Sequence, residues 1–244
     1  MAHSPSVFSL GGVEVTALCD AVGPMGDAIR KPMPEMFPGG PFGDDDEWVL
    51  HFHCHLIRAA GRTILVDVGL GGPGSPAASW APAPGRLLAE LESVGVAPTD
   101  VDTVVITHLH SDHVSGAVAD GVPTFPNAAH IVQRAEVDGA SNAIRAFLDP
   151  IKDWLQIVTG STQLAPGVSV VHTPGHTPGH QTVEIGSLVI SGDVLHHPAQ
   201  LVDPMIGYLY DHDPVQAAQT RAAVLTRAQT LAPAHLPDPF IPLR

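Results

Sequence analysis

The chain has 244 residues, 44% hydrophobic and 15% charged, enough for one large domain or two fused halves. Its 25 acidic residues against 11 basic ones give a net charge of −14, which argues against nucleic acid and against anionic membrane surfaces as partners. No apolar run approaches the roughly 20 residues of a membrane span, and Met1-Ala2-His3-Ser4-Pro5 lacks the basic and apolar regions of a secretory leader.

Val7–Leu10 and Val13–Leu18 flank Gly11-Gly12 and read as a hairpin. Cys19 and Cys54 are the only cysteines, too few for a disulfide framework and too isolated for a thiolate metal site, so a reducing cytoplasm is expected. Residues 20–47 lose all periodicity and carry several prolines and an acidic run at Asp44–Glu47; an irregular, lid-like loop bordering the active site is expected there. Trp48 to Ile57 alternates as a strand with His51, His53 and His55 on one face. Two readings stand for them: a polar face, or His53 or His55 lining a metal pocket. Thr63–Val68 is a buried strand, and Asp67 near its end either orients a metal ligand or caps local backbone. A Gly/Pro loop carrying Trp80 leads to Pro84–Val94, whose Leu87, Leu88, Leu91 and Val94 form a helical stripe ended by Gly95.

Asp102–Ile106 reads as a short buried strand leading into Thr107-His108-Leu109-His110-Ser111-Asp112-His113. Four potential metal ligands lie within six residues, a costly cluster to bury unless something pairs with it. The strand's period of two sends His108 and His110 to one side. Asp112 and His113 lie past a turn and reach a second point nearby. Neutral imidazole and carboxylate suit zinc or a similar first-row ion. Ser115-Gly116 leaves the motif closely packed. Ala129–Gln133 is a further strand, followed by helical segments at 134–139 and 142–156 with a break at Pro150.

Val168–His172 runs into Thr173-Pro174-Gly175-His176-Thr177-Pro178-Gly179-His180, where two Pro-Gly pairs make tight turns and frame one imidazole. His176 is the expected ligand and His180 its hydrogen-bonded neighbour. Thr182–Ile185 and Leu188–Ser191 form a hairpin whose second strand ends at Gly192-Asp193, with the carboxylate pointing inward. Residues 195–210 are apolar and irregular and wall a pocket with His196, His197, Met205, Tyr208 and Tyr210. Asp213-Pro214 starts a helix that runs to about Gln229, and a last strand ends at His235. The strands fall in two runs, each followed by helical segments. The simplest architecture is one domain over residues 1–244: two sheets face to face, helices outside, ligands meeting at one rim.

His108-x-His110-x-Asp112-His113, the Thr-Pro-Gly-His turn at His176, Gly192-Asp193 and Pro233-Ala234-His235, with Asp67 upstream, resemble the metallo-β-lactamase superfamily over residues 67–235. The resemblance implies an α/β fold, a four-layer αβ/βα sandwich of two mixed sheets with a dinuclear centre. By resemblance His108, His110 and His176 hold one divalent ion, Asp112, His113 and His235 hold the other, and Asp193 bridges them. Zinc is the first expectation, with manganese, cobalt or iron as alternatives. Two ions about 3.5–4 Å apart bring a shared water's pKa to about 7. The resulting hydroxide attacks a carbonyl or phosphoryl centre, and Asp112 takes the proton released as the reaction completes.

The branches of the family can be ranked. Asp193 stands where the commonest β-lactamases carry cysteine, and His110 is intact where the flavodiiron branch has glutamate. Only nine residues follow His235, too few for the C-terminal substrate domain of glyoxalase II. The remaining similarity is to the quorum-quenching lactonase and methyl parathion hydrolase branch. The expected function is hydrolysis of a small neutral ester, first of all a lactone. The alternatives are phosphotriester or thioester hydrolysis, an iron persulfide dioxygenase with a single metal, and a binding scaffold without catalysis. One departure matters: lactonases of one kind carry tyrosine three residues after the bridging aspartate, where this chain has His196. His196, Trp48 and Tyr208 are therefore expected at the substrate, with Phe42 and Met205 as further candidates. The apolar stretch 201–210 is a candidate homodimer contact.

Overall fold

In the computed structural model, which describes residues 5–243, strands from the two halves of the chain build two sheets. Among the described residues the first sheet holds Val7–Leu10, Val13–Pro24, Val49–Ala59, Arg62–Val66, Thr103–Val105, Ala129–Gln133 and Leu155–Val158, hydrogen-bonded in that order. The second holds Thr162–Ala165, Val168–His172, Gln181–Ile185, Leu188–Gly192, Thr230–Pro233 and Ile241–Pro242, again in order. Both sheets are mixed. Hairpins pair the early strands antiparallel, and parallel pairs follow where the chain must cross over. Parallel neighbours need a connection long enough to return along the sheet. Helix Leu87–Ser93 lies in the crossover to Thr103–Val105, and helix Pro214–Arg227 in the crossover to Thr230–Pro233.

Side-chain alternation assigns the layers. Val13, Val15, Ile57, Ile64, Val66 and Ile131 meet Val168, Val170, Val183, Ile185 and Ile190 in one buried cluster between the sheets. The opposite face of the first sheet presents Leu18, Leu56, Leu65 and Val104 to Leu87, Leu91 and Leu148. The opposite face of the second presents Val189 and Leu231 to Val224 and Ala228. The result is the four-layer αβ/βα sandwich anticipated from the motifs. A fourth cluster, with Met25, Met33, Met36, Phe37, Leu50, Phe52, Ile206 and Tyr208, lies apart from these three. No helix among the described residues is long and apolar enough to cross a membrane.

Two expectations need correction. Residues 20–24 are strand, not loop, because Val13–Pro24 stays paired out to Pro24 opposite Val49. The register shifts between Cys19 and Ala21, and the buried Asp20 there accepts the backbone N–H groups of Leu70 and Leu87, both at 2.7 Å. The irregular segment therefore starts at Met25, and it includes the short helix Met33–Met36. Likewise, residues 155–156 are not helical. The helix ends at Leu148, a 3-10 turn covers Asp149–Trp154, and Leu155–Val158 adds a parallel edge strand. Asp213 caps its helix as expected, accepting from Val215 N–H at 3.1 Å and Gln216 N–H at 3.0 Å, and the helix stops at Arg227.

Candidate metal centre

The site forms where strands of both sheets end. Beyond Thr103–Val105 the chain delivers His108, fully buried, and then His110, which stands at the start of the single helical turn Ser111–Val114. That turn places Asp112 and His113 beside the strand end. In the second sheet, the turn after Val168–His172 closes through Gly175 N–H to Thr177 O and Thr173 N–H to His180 O, and it presents His176. Asp193 follows Gly192 directly. Gly192 has φ +49°, and a Cβ there would lie 2.8 Å from His180 Nε2, so only glycine fits the approach. His235 comes just after Thr230–Pro233.

All seven of these residues converge in two groups that share Asp193: His108, His110 and His176 with Asp193, and Asp112, His113 and His235 with Asp193. Within each group the candidate ligand atoms lie within 4.8 Å of one another. The carboxylate of Asp193 is split between them. Its Oδ2 is 3.6 Å from His108 Nε2 and 3.4 Å from His176 Nε2, whereas Oδ1 is 3.1 Å from Nε2 of both His113 and His235. Asp112 Oδ2 lies 3.5 Å from His113 Nε2 and 3.4 Å from His235 Nε2.

Four of the five ligand histidines have their outward ring nitrogen occupied. His113 Nδ1 lies 2.7 Å from Asp67 Oδ2, His176 Nδ1 3.0 Å from Asp211 Oδ1, His108 Nδ1 3.1 Å from Thr107 Oγ1, and His235 Nδ1 2.8 Å from His51 O. With Nδ1–H donated outward, each Nε2 keeps its lone pair for the centre. Nε2 of His108, Nε2 of His113 and Oδ1 of Asp193 are buried with no hydrogen-bond partner, an arrangement that costs about 1–3 kcal/mol per group unless something else fills it. Imidazole nitrogens and carboxylate oxygens of this kind fit first-row divalent ions.

Charge is divided unevenly. Burial disfavours a charged His113, yet Asp193, Asp112 and Asp67 hold its pKa well above the ordinary value. The same opposition, burial against Asp193 and Asp112, leaves His235 at about 10. Burial raises Asp193, but His113, His235, His196 and His108 pull it well below the usual carboxylate range. His108 and His176 are pushed well below theirs by burial and by neighbouring imidazoles. The carboxylates thus favour the charged forms of His113 and His235, whereas burial favours the neutral forms of His108 and His176.

Asp67 serves both of the roles open to it: it holds His113 and also accepts Thr107 N–H and Oγ1–H, each at 2.8 Å. His180 is a neighbour, its Nε2 accepting the Asp193 backbone N–H at 3.0 Å. Three supporting residues carried no local signal. Asp211 backs His176, and Arg221 donates to Asp211 Oδ2 at 3.3 Å; burial, opposed by Arg221, pushes Asp211 up to about 6. Glu136 accepts Leu109 N–H at 3.0 Å, Gly179 N–H at 2.9 Å and the Thr177 hydroxyl, which ties the first motif to the His176 turn. His51, His53 and His55 belong to neither ligand group. His51 and His53 hold the His235 segment instead: His51 O faces His235 Nδ1, and His53 donates its backbone N–H to Ala234 O at 2.8 Å and its Nε2–H to Leu236 O at 3.0 Å.

A cavity of about 220 Å³ opens over the ligands, walled by Met25, Ile29, Leu50, Trp80, Tyr208 and Tyr210 together with His110, Asp112, His176, Asp193 and His235. Of the expected substrate residues only Tyr208 lines it. His196 does not: it is buried under Tyr208, and its Nε2 is turned to Asp193 Oδ2 at 3.1 Å. Trp48 does not either, because it packs edge-on against Phe37 and Tyr208 and lines a separate outer cavity of about 520 Å³. Phe42 packs on Phe37 and His197, and Met205 is exposed. The irregular segment does border the site through Met25 and Ile29, and Tyr210 pins it by donating to Ile29 O at 2.6 Å.

The family model for the metallo-beta-lactamase superfamily matches residues 50–235, and the chain belongs to that superfamily. It is 39% identical to an N-acyl homoserine lactonase of Bacillus sp over 102 residues, 41% of this chain and 39% of that protein. It is 34% identical to metallo-beta-lactamase domain-containing protein 1 of Homo sapiens over 199 residues, 78% of this chain and 63% of that protein. The matched stretches therefore cover less than two thirds of either curated relative. Among solved structures, the dizinc quorum-quenching lactonase AidC, in complex with a product, superposes with a TM-score of 0.82 at 23% identity over 97% of this chain and 92% of that one, which shows a shared fold.

Proposed function

We propose that the protein is a metal-dependent hydrolase that opens a small neutral ester, first of all a lactone, at a centre of two divalent ions. The observation that carries this reading is the division of Asp193 between two ligand groups whose buried Nε2 and Oδ1 atoms lack partners. His108, His110 and His176 with Oδ2 of Asp193 would hold one ion. Asp112, His113 and His235 with Oδ1 would hold the other. Zinc fits, as do manganese, cobalt and iron. When bound, such a pair polarises an ester carbonyl and supplies a water acidic enough to attack at neutral pH.

The chain's own residues do the rest. Met25, Ile29, Leu50 and Trp80 give the cavity an apolar wall, and its size suits a small ring rather than a polymer. Among the described residues no lysine or arginine lines it, so a neutral substrate enters more easily than a polyanion. Asp112 stands at the cavity wall, and its carboxylate is kept ionised against burial by His113 and His235. It accepts the proton that the attacking water loses and returns it to the departing alkoxide. The named lactonase relatives support a lactone as substrate. A one-iron dioxygenase would leave the Asp112, His113 and His235 group without a role.

The test is a metal-replete panel of N-acyl homoserine lactones, aryl esters, thioesters and a phosphotriester, with metal content measured on the same sample. Two ions per chain and lactone opening as the fastest reaction are expected. Full loading with no turnover of any ester would overturn the reading; faster phosphotriester or thioester turnover would move it to the neighbouring chemistry.

A further inference from the structure

Asp193 is gripped at both ends by histidines. His180 Nε2 accepts its backbone N–H at 3.0 Å, and His196 Nε2 lies 3.1 Å from Oδ2 of its carboxylate. The ligand nitrogens on that side stand farther off, His176 Nε2 at 3.4 Å and His108 Nε2 at 3.6 Å. The His196 ring is fixed where it is. It is buried, stacked on Tyr208 with centroids 3.7 Å apart and planes at 24°, and flanked by His176 at 4.8 Å. Its backbone N–H donates to Gln200 Oε1 at 2.7 Å, and Gln200 Nε2 donates in turn to Ile206 O at 3.1 Å.

The direction of the bond to Asp193 follows from the acceptor. An ionised carboxylate can only accept, so His196 Nε2 carries the hydrogen. Nδ1 is then a bare acceptor, and among the described residues it is buried without a partner. A stranded buried acceptor is costly. Phenylalanine would fill the same space and strand nothing, so packing alone does not account for a histidine beneath Tyr208.

Asp193 needs such a grip. Rotation about the last bond of its side chain is soft, yet its two oxygens must stay divided between two ligand groups. The groups do not depend on it equally. The second also contains the carboxylate of Asp112, whereas the first consists of three imidazoles and Asp193 alone. The first group therefore loses most if the carboxylate turns.

We propose that His196 is a positioning residue whose Nε2–H fixes the rotation of the Asp193 carboxylate and so keeps Oδ2 facing the His108, His110 and His176 group. This rests on the two-ion part of the hydrolase reading. The substrate contact expected of His196 gives way to a contact with the shared ligand, and no proton leaves Nε2 in this role.

The experiment competes zinc out of the loaded protein and of its His196→Phe, His196→Gln and His196→Leu variants with a chelator, read as two affinities, with urea midpoints as the check on folding. Phenylalanine keeps a stacked ring and lacks the N–H; glutamine keeps an N–H without the ring; leucine lacks both. In His196→Phe one affinity is expected to fall about 10- to 100-fold and the other by no more than about threefold, while His196→Gln recovers most of the loss. Two affinities unchanged in His196→Phe, or a loss in His196→Gln as large as in His196→Phe, overturn the proposal. If His196→Phe does not fold, the two ringless variants decide: zinc held tighter by glutamine than by leucine supports the role, and equal affinities overturn it. If the loaded parent opens no ester or holds a single ion, the reading beneath fails by itself, and the same comparison on the ion that is bound still decides whether His196 serves Asp193.

Discussion

Oδ1 of Asp211 lies 3.0 Å from Nδ1 of His176, on the edge of the ring opposite the one that faces Asp193. A carboxylate behind an imidazole fixes its tautomer and makes Nε2 a better electron donor, typically by 10- to 100-fold in metal affinity. On the proposed two-ion centre, Asp211→Ala should therefore weaken one ion by about that factor and leave the other, assigned to Asp112, His113 and His235, nearly unchanged. Competition with a chelator, read as two separate affinities, checks this. Equal weakening of both ions would mean that Asp211 acts on the fold rather than on His176.

Arg221 is the other half of that pair, and it is fully buried. Besides Asp211, it donates to the carbonyls of Val194 at 2.8 Å, Pro204 at 2.8 Å and Ile206 at 2.7 Å. Removing one partner of a buried ion pair strands the other, at a cost of about 3–5 kcal/mol. Arg221→Met should lower urea-unfolding stability by that order, and adding Asp211→Leu should recover part of the loss. A double variant as unstable as the single one would show that the orphaned carbonyls, not the charge, set the cost.

How much of this could be read from the chain follows from how local each signal is. His108, His110, Asp112 and His113 announce themselves within six residues, and His176 sits in a turn whose prolines and glycines leave little conformational choice. The strands that carry them are apolar runs of period two. Glu136 gave no sign, because its partners Leu109, Thr177 and Gly179 are 27 to 43 residues away in sequence. Asp211 gave none either, because its partner His176 lies 35 residues away. Edge strands such as Thr162–Ala165 and Ile241–Pro242 are too short to establish a period. Asp20 looked like the start of a loop because its carboxylate is matched by backbone amides at Leu70 and Leu87, which no local pattern encodes.

Acid should loosen the fold through histidines remote from the centre. Burial holds His130 at about 4 and His55 at about 3, both below the ordinary 6.5. The folded state resists the proton that the unfolded chain accepts, so stability is full above about pH 6.5 and falls as pH drops toward 4. For His130 the linked loss is on the order of 3 kcal/mol by pH 4. His130→Gln should flatten that part of the profile. Urea midpoints measured at pH 7 and pH 4.5 for both proteins check it. Parallel profiles would assign the acid sensitivity elsewhere.

Gly192 offers the sharpest test of how the centre is positioned. Its φ of +49° is matched by Gly11 at +60°, but the two differ in surroundings: a Cβ at Gly11 would meet nothing within 4 Å, whereas one at Gly192 would press on His180 Nε2 at 2.8 Å and on Thr107 at 3.0 Å. Both substitutions by alanine bear a similar backbone strain, of about 1 kcal/mol or somewhat more, so Gly11→Ala controls for it. The additional clash in Gly192→Ala falls on the residue before Asp193, and on the histidine that accepts the Asp193 backbone N–H. Because Asp193 is shared, its displacement should loosen both ligand groups at once. The expected result is a fall in metal content well below two ions per chain and loss of ester hydrolysis, while Gly11→Ala keeps both. Loss of one ion alone would mean that the two oxygens of Asp193 move independently of the turn that carries them.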